Sequence, residues 1–276
     1  MIPSFLITFR ETFEATLVLG IMLGYLTKTR NDPYKKYVYG GALGGIAVSI
    51  LTAMAFNYFA AGFSGQNEQI FEGSTMLIAA FLVTTMIVWM AGQRHFSDKI
   101  KEHIRKSIDI KYGTGIALFS LFAVYREGVE IILFLEATAF SAASSDAFGA
   151  SAGIFGAMAL GYLFFKAVVK LNLAQFFKIT GALLILVAAG LASHGVHEFQ
   201  EAGVLPYFAS EAWNTAAILN DKTEIGAIIR SVFGYNDNPT HLEAGSYFAY
   251  LALAGFAWAK IGANKIRKTS GEAEAN

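Results

Sequence analysis

Phe9-Arg10-Glu11-Thr12-Phe13-Glu14 and Tyr125-Arg126-Glu127-Gly128-Val129-Glu130 are two copies of one pattern, Arg-Glu-x-x-Glu, and each lies about halfway along an apolar segment. The second copy follows the first by 116 residues and lies three apolar segments later. Because three is an odd number, the two helices that carry the copies cross a membrane in opposite directions. This arrangement is typical of an inverted-topology repeat, whose binding site lies between the halves near the midplane.

The composition of the chain is that of a membrane protein. Of its 276 residues 55% are hydrophobic and only 15% are charged, whereas a soluble domain has about 25% charged residues. A helix that crosses a bilayer core of about 30 Å needs roughly 20 apolar residues. Seven segments meet this requirement, at about 3–27, 37–61, 69–92, 114–138, 147–169, 176–196 and 245–264. We therefore expect an all-α integral membrane protein with seven transmembrane helices, in which helices one to three and four to six form the inverted repeat.

These segments leave no room for a soluble domain, so residues 1–269 are predicted to form a single transmembrane domain. Repeat one covers about 1–95 and repeat two about 112–200. An outer loop at about 197–244 precedes helix seven at about 245–264, and residues 270–276 read as a polar tail.

The distribution of charge predicts the orientation. Lysine and arginine concentrate in the connections after segments one, three and five and at the C-terminal end, whereas the opposite loops hold only Lys222 and Arg230. The positive-inside rule then places the N-terminus outside and the C-terminus inside. The formal net charge of +0 gives no argument for nucleic acid, and the absence of cysteine excludes disulfides and thiolate metal sites.

The motif residues share a helix face, since positions three and four apart are neighbours. A charged residue at the bilayer centre costs roughly 2.5–3.5 kcal/mol on insertion scales, so six of them need a compensating interaction. Each arginine offsets one carboxylate and leaves about one net negative charge per motif. A bound cation would complete the neutralisation. Ion pairs that only join helices are the alternative interpretation, which the duplication at repeat-related positions disfavours.

Carboxylate oxygens are hard ligands and favour hard cations such as ferric iron, calcium, magnesium and manganese. Neither motif contains histidine, and the chain has no cysteine, which argues against copper(I) and a typical zinc site.

The paired motifs resemble the oxidase-dependent ferric iron permease family. The stretch His194-Gly195-Val196-His197-Glu198-Phe199-Gln200-Glu201-Ala202-Gly203, the chain length and the outside N-terminus are also similar to that family, and the resemblance covers nearly the whole chain. The middle residues Thr12, Phe13 and Val129 differ from the commonest form of the motif, but they flank the ligands and do not supply them.

The resemblance implies a multi-pass permease, not an enzyme, that imports iron with high affinity across a plasma membrane, here a bacterial inner membrane. It implies ferric iron as the transported substrate and no permanently bound cofactor. The motif residues take their roles from the family: iron ligands at Glu11, Glu14, Glu127 and Glu130, and charge partners at Arg10 and Arg126. Besides iron ions and the lipid bilayer, an extracytoplasmic oxidase or iron-donor protein is the implied partner, and the oligomeric state stays open.

A second cluster is predicted at the outer end of segment six. His194, His197 and Glu201 share a face if the helix continues, and with Glu198 they form a candidate outer capture site for iron. Glu198-x-x-Glu201 is also loosely similar to an acidic motif in the outer loop of fungal family members. Glu136, toward the outer end of segment four, is a candidate for an entry vestibule. For the cluster the alternative is a solvated helix end with a structural turn at Gly203, and for Glu136 it is contact with lipid headgroups.

Two other functions use the same glutamates. One is a permease or proton-coupled exchanger for another hard or divalent cation, such as manganese. The other is an intramembrane di-metal enzyme, because paired glutamates on facing helices also hold two irons. Such di-iron sites usually add a Glu-x-x-His motif, and no histidine lies near either copy of the pattern.

Overall fold

The computed structural model describes residues 2–92, 100–102, 104–106, 113–142, 146–166, 172–206, 211–221 and 223–274. These residues are almost entirely helical, and no strand occurs among them beyond an isolated bridge between Glu211 and Thr240. The eight named α-helices are α1 (Ile2–Lys28), α2 (Lys35–Ala60), α3 (Gln66–Gly92), α4 (Gly113–Ala142), α5 (Ala147–Phe165), α6 (Leu173–Glu201), α7 (Glu224–Phe233) and α8 (His241–Glu274).

Seven of these helices coincide with the seven apolar segments, and α7 is a short helix within the predicted outer loop. Helix α8 continues to Glu274, through most of the residues expected as a polar tail. Four stretches are long and apolar enough to cross a membrane by length and composition: Asp32–Ala60, Gln66–Ile87, Ala147–Phe165 and Gln175–Glu201. Helices α1 and α4 each contain the three charges of one motif, which is more charge than a membrane-spanning helix usually carries. The chain is therefore an all-helical protein with several membrane-capable helices, and the seven crossings stay a prediction.

Large apolar side chains cover the outside of the helices. Leu43 is 67% exposed, Phe155 is 68% exposed and Phe256 is 69% exposed. A soluble monomer rarely exposes large contiguous apolar areas, whereas such a surface suits contact with lipid. This surface supports the assignment of the chain to the membrane.

Three pairs of helices form the body of the fold. Helix α1 packs mainly along α5, α2 along α4, and α3 along α6, while α8 lies against α6 and α3. Helices α1 and α4, which carry the motifs, also pack against each other. The first three helices are thus interleaved with the next three, and the two motif helices are neighbours.

A glycine brings α1 and α5 into close contact. A Cβ added at Gly153 of α5 would meet the Thr8 hydroxyl, and it would lie 2.6 Å from the Phe5 carbonyl oxygen and 2.9 Å from the Phe9 nitrogen. Only a glycine fits this crossing, as is common where transmembrane helices approach closely.

A second glycine allows a similarly close contact between α2 and α4. A Cβ added at Gly45 of α2 would lie 2.7 Å from the Leu121 carbonyl oxygen, 2.9 Å from Val124 Cβ and 3.1 Å from the Tyr125 nitrogen. The backbones of both helix pairs therefore set the spacing between the helices directly.

Candidate metal-ion site

The first motif forms a compact buried group on α1. Arg10 is 1% exposed and Glu11 is 0% exposed. Arg10 Nη1 donates a hydrogen bond to Glu11 Oε1 at 3.0 Å, and Arg10 Nη2 lies 3.2 Å from Glu14 Oε1. Because the spacing of four residues stacks Arg10 over Glu14, one guanidinium compensates two carboxylates.

The second motif, on α4, is arranged less symmetrically. Arg126 donates to Glu127 Oε1 through both Nε, at 3.1 Å, and Nη2. Arg126 Nε lies 3.8 Å from Glu130 Oε1, a longer ion pair than its counterpart in the first motif. The Arg126 side chain is also 47% exposed, compared with 1% for Arg10.

The packing of α1 against α4 brings carboxylates of both motifs together. One carboxylate oxygen from each of Glu11, Glu14 and Glu127 lies within 4.8 Å of the others, and all three residues are buried. Glu130 lies one turn along α4 from Glu127, with a side chain 13% exposed. Three negative groups this close repel one another unless a cation or a proton compensates them.

Several oxygens of this group are available to an ion. Within the part of the chain that the structure describes, three buried carboxylate oxygens have no hydrogen-bond donor: Glu11 Oε2, Glu127 Oε2 and Glu130 Oε2. Glu14 Oε1 is also buried and has the ion pair with Arg10 Nη2 described above. A buried acceptor without a donor is costly, so such atoms require an explanation. A set of carboxylate oxygens suits a hard cation, and coordination would satisfy these atoms.

Comparison with known proteins identifies the family. The iron permease FTR1 family matches the chain over residues 1–261. The chain belongs to this family. The relatives include the "Ferrous iron permease EfeU" of Escherichia coli O6:H1, which is 32% identical over 269 residues that span 93% of this chain and 95% of the relative. The protein of the same name from Yersinia pestis is 33% identical over 261 residues, 92% of each chain. No solved structure matches the chain.

Family membership confirms the resemblance predicted from the two motifs, and with it a transmembrane iron permease. It also indicates a transporter and not an enzyme. Oxygen-only ligands are consistent with such a cargo, because iron in its harder states favours carboxylates.

His194 of the permease forms its hydrogen bonds with residues outside the predicted outer cluster. Its ring is buried, with Nδ1 at 3.3 Å from the Gly190 carbonyl oxygen. Its Nε2 accepts a hydrogen bond from Arg230 of α7 at 3.0 Å. Arg230 also donates to Asp221 at 2.9 Å and to the Ser141 carbonyl oxygen at 3.1 Å. His194 therefore helps to hold α7 against the ends of α4 and α6.

His197 lies between two carboxylates. Its Nδ1 is 2.9 Å from Glu243 Oε1 at the start of α8, and its Nε2 is 3.1 Å from Glu201 Oε1. Glu243 is 2% exposed, and it also accepts hydrogen bonds from Asn236 and from the Thr240 backbone. Burial raises the pKa of the Glu243 carboxyl, but the bonds from His197 and Thr240 outweigh it and hold this pKa below its ordinary value. Sequence reasoning missed Glu243, because it lies 46 residues from His197.

The other two predicted residues do not take part in these hydrogen bonds, although Glu198 follows His197 directly in the chain. Glu198 is partly buried where α6 crosses α3 at Gly73. Glu136 accepts a hydrogen bond from Asn57 of α2 at 3.0 Å. Among the described residues, the three-glutamate group of the motifs is the one set with the spacing of a metal site.

Proposed function

We propose that the permease imports iron across the cytoplasmic membrane through a midplane site formed by Glu11, Glu14, Glu127 and Glu130. The observation that carries this proposal is the approach of buried glutamates from both motifs to within 4.8 Å, with carboxylate oxygens that accept no hydrogen bond from described residues. Arg10 and Arg126 reduce the negative charge of this site but do not cancel it. The iron ion supplies the remaining positive charge while it is bound and is released on the opposite side.

An inverted repeat accounts for the position of this site. The contacts of Gly153 fall on Phe5, Thr8 and Phe9, and those of Gly45 on Leu121, Val124 and Tyr125. Each residue of the second set follows its counterpart by 116 residues, the same offset that separates the motifs. Exchanging α1 with α4, α2 with α5 and α3 with α6 also leaves the three helix pairs unchanged. These correspondences support two halves related by a pseudo-two-fold axis in the membrane plane.

The orientation proposed from the basic loops puts the N-terminus and α7 outside. Glu198, Glu201 and Glu136 then lie on the side from which iron enters, where acidic groups raise the local concentration of cations. The family resemblance implies an extracytoplasmic oxidase or iron-donor protein on this side. His194 and His197 stabilise this outer surface and, in this proposal, contribute to capture only through their neighbours.

The test is uptake of radioactive iron into proteoliposomes. Ferrous iron kept reduced with ascorbate and ferric iron supplied as a soluble chelate are measured separately. This comparison matters because the sequence resemblance implies ferric iron, whereas the relatives are named for ferrous iron. Glu11→Gln keeps the shape of the side chain and removes its charge, so we expect uptake of either form to collapse.

A matched control is Glu102→Gln, which removes an exposed glutamate paired with Lys106. If Glu11→Gln transports iron at the wild-type rate, the glutamates are structural ion pairs and the proposed site is wrong. Manganese, zinc and calcium are added as competitors, since an oxygen-only site also accepts other hard or divalent cations. Manganese transport at the rate of iron would favour the broader cation permease.

A further inference from the structure

Met86 of α3 contacts the charged centre of the motif site. Its Sδ accepts a hydrogen bond from Arg10 Nη1 at 2.9 Å. Met86 is 7% exposed and Arg10 is 1% exposed. The thioether is therefore a buried acceptor for the arginine that compensates Glu11 and Glu14.

The contact completes the hydrogen bonding of one end of the guanidinium. Arginine has five N–H donors in a fixed plane, and two of them are on Nη1. Nη1 donates to Glu11 Oε1 at 3.0 Å and to Met86 Sδ, while Nη2 lies 3.2 Å from Glu14. Acceptors on different helices thus fix the direction of the guanidinium plane.

The carboxylate oxygens near Arg10 are the alternative acceptors for the N–H that the Met86 sulfur accepts. Glu11 Oε2 and Glu127 Oε2 are buried and have no hydrogen-bond donor among the described residues. A buried N–H without an acceptor is costly, so an Arg10 that lost the sulfur would turn toward carboxylate oxygens. Those are the oxygens that an ion needs, and the arginine would compete with the ion for them.

We propose that Met86 is a positioning residue for iron uptake. Its thioether keeps one N–H of Arg10 away from the carboxylates, so that the guanidinium compensates Glu11 and Glu14 without covering their remaining oxygens. The inference rests on the proposed function of the motif glutamates. It assigns to α3 a direct part in a site that the motifs place on α1 and α4.

The second motif shows what a less constrained arginine does. Arg126 is 47% exposed and directs both Nε and Nη2 to Glu127, while Glu130 lies 3.8 Å from Nε. The first motif therefore has the more buried arginine and the shorter ion pair to its second glutamate.

The experiment compares two substitutions of Met86 in proteoliposome uptake, with rates normalised to the amount of reconstituted protein. Met86→Leu keeps the apolar volume and removes the acceptor, and we expect KM for iron to rise roughly three- to tenfold, the range of one hydrogen bond, with little change in the maximal rate. Met86→Gln keeps the length of the side chain and restores an acceptor oxygen. We expect it to return KM to within about twofold of the wild type, below the KM of Met86→Leu.

Met76 of the same helix is the matched control, because it is 0% exposed and lies in an apolar cluster with Ala79, Val83 and Phe134. There the order is reversed: Met76→Leu is tolerated and Met76→Gln is harmful, since it buries an amide in an apolar environment. The role of Met86 is overturned if Met86→Leu has the KM of the wild type, or if Met86 follows the order of Met76.

Failure of this inference is distinguishable from failure of the proposed function. Suppose that Glu11→Gln abolishes uptake, while Met86→Leu is tolerated and Met86→Gln is harmful, as expected at Met76. Then the glutamate site stands and only the positioning role of Met86 is wrong. If Glu11→Gln transports normally, the glutamate site itself is wrong, whatever the Met86 variants do. Thermal unfolding of each purified variant identifies any substitution that acts by loss of folding.

Discussion

Gly128 occupies the middle of the second motif, and its replacement by alanine tests how the motif is held. A Cβ added at Gly128 would meet the Ser49 hydroxyl of α2 and would lie 2.6 Å from Ser49 Cβ. Carbon atoms pack at about 3.5 Å or more, so α2 and α4 would have to separate by about 1 Å. Overpacking of this kind costs about 1–3 kcal/mol.

The displacement also moves Glu127 and Glu130, which flank Gly128 on α4. A misplacement of about 1 Å in a site that needs fixed geometry costs up to roughly a hundredfold in rate. We therefore expect Gly128→Ala to lower both the thermal unfolding temperature of the purified permease and its iron uptake, with uptake reduced at least about tenfold.

A second substitution makes this prediction specific. Ser49→Gly removes both clashing atoms, and the nearest remaining atom is Ser49 Cα at 4.0 Å. The double variant Gly128→Ala with Ser49→Gly moves the glycine to the other side of the contact, and we expect it to regain most of the uptake and the stability. Gly40→Ala is the control, because an added Cβ there meets no atom within 4 Å. Wild-type behaviour of Gly128→Ala, or a double variant no better than the single one, would refute the argument from helix spacing.

Three further outcomes are expected. Uptake of radioactive iron falls at least about tenfold in Glu14→Gln and in Glu130→Gln, because a ligand charge is lost, while the protein still reaches the membrane. Normal uptake by both variants would contradict their role as ligands. We expect a higher iron concentration for half-maximal uptake, with a smaller loss of maximal rate, in Glu198→Gln and Glu201→Gln. Added salt should remove this difference from the wild type, because it screens the acidic surface. An equal loss of uptake at every iron concentration would place these residues in the translocation step. Glu243→Gln lowers the unfolding temperature at neutral pH but not in acid. Since the folded pKa of Glu243 lies below its ordinary value, its stabilisation is present above that value and is lost as pH falls through the folded pKa; a difference that persists in strong acid would contradict this.

The sequence predicts which motif side chains come together, because that information is local. Arg10, Glu11 and Glu14 lie within two turns of one helix, so their common face follows from helix geometry alone. The approach of Glu127 follows from the proposed inverted repeat, in which the two copies of the motif lie on corresponding helices. Neither inference needs a contact between segments of unrelated sequence.

The remaining contacts of the site depend on tertiary packing. Met86 reads as an ordinary apolar residue of α3, and its contact with Arg10 spans 76 residues. Periodicity also grouped His194 with His197, but α7 brings Arg230 to the buried His194 ring. That arginine lies in the predicted outer loop, where the positive-inside rule disfavours a basic residue. Its bonds to Asp221 and Ser141 give it a structural role there.

The interleaved helix pairs have a consequence for biogenesis. In a membrane, specific packing of a helix begins only when its neighbour is present. Helix α1 has its main neighbour in α5, and α2 has its own in α4. A ribosome that has released only the first three helices has therefore delivered surfaces that lack their main neighbours, including the surface with Arg10, Glu11 and Glu14. These charges stay without their partners on α4 until that helix is made, so we expect truncated chains that end before α5 to be degraded faster than the full-length chain.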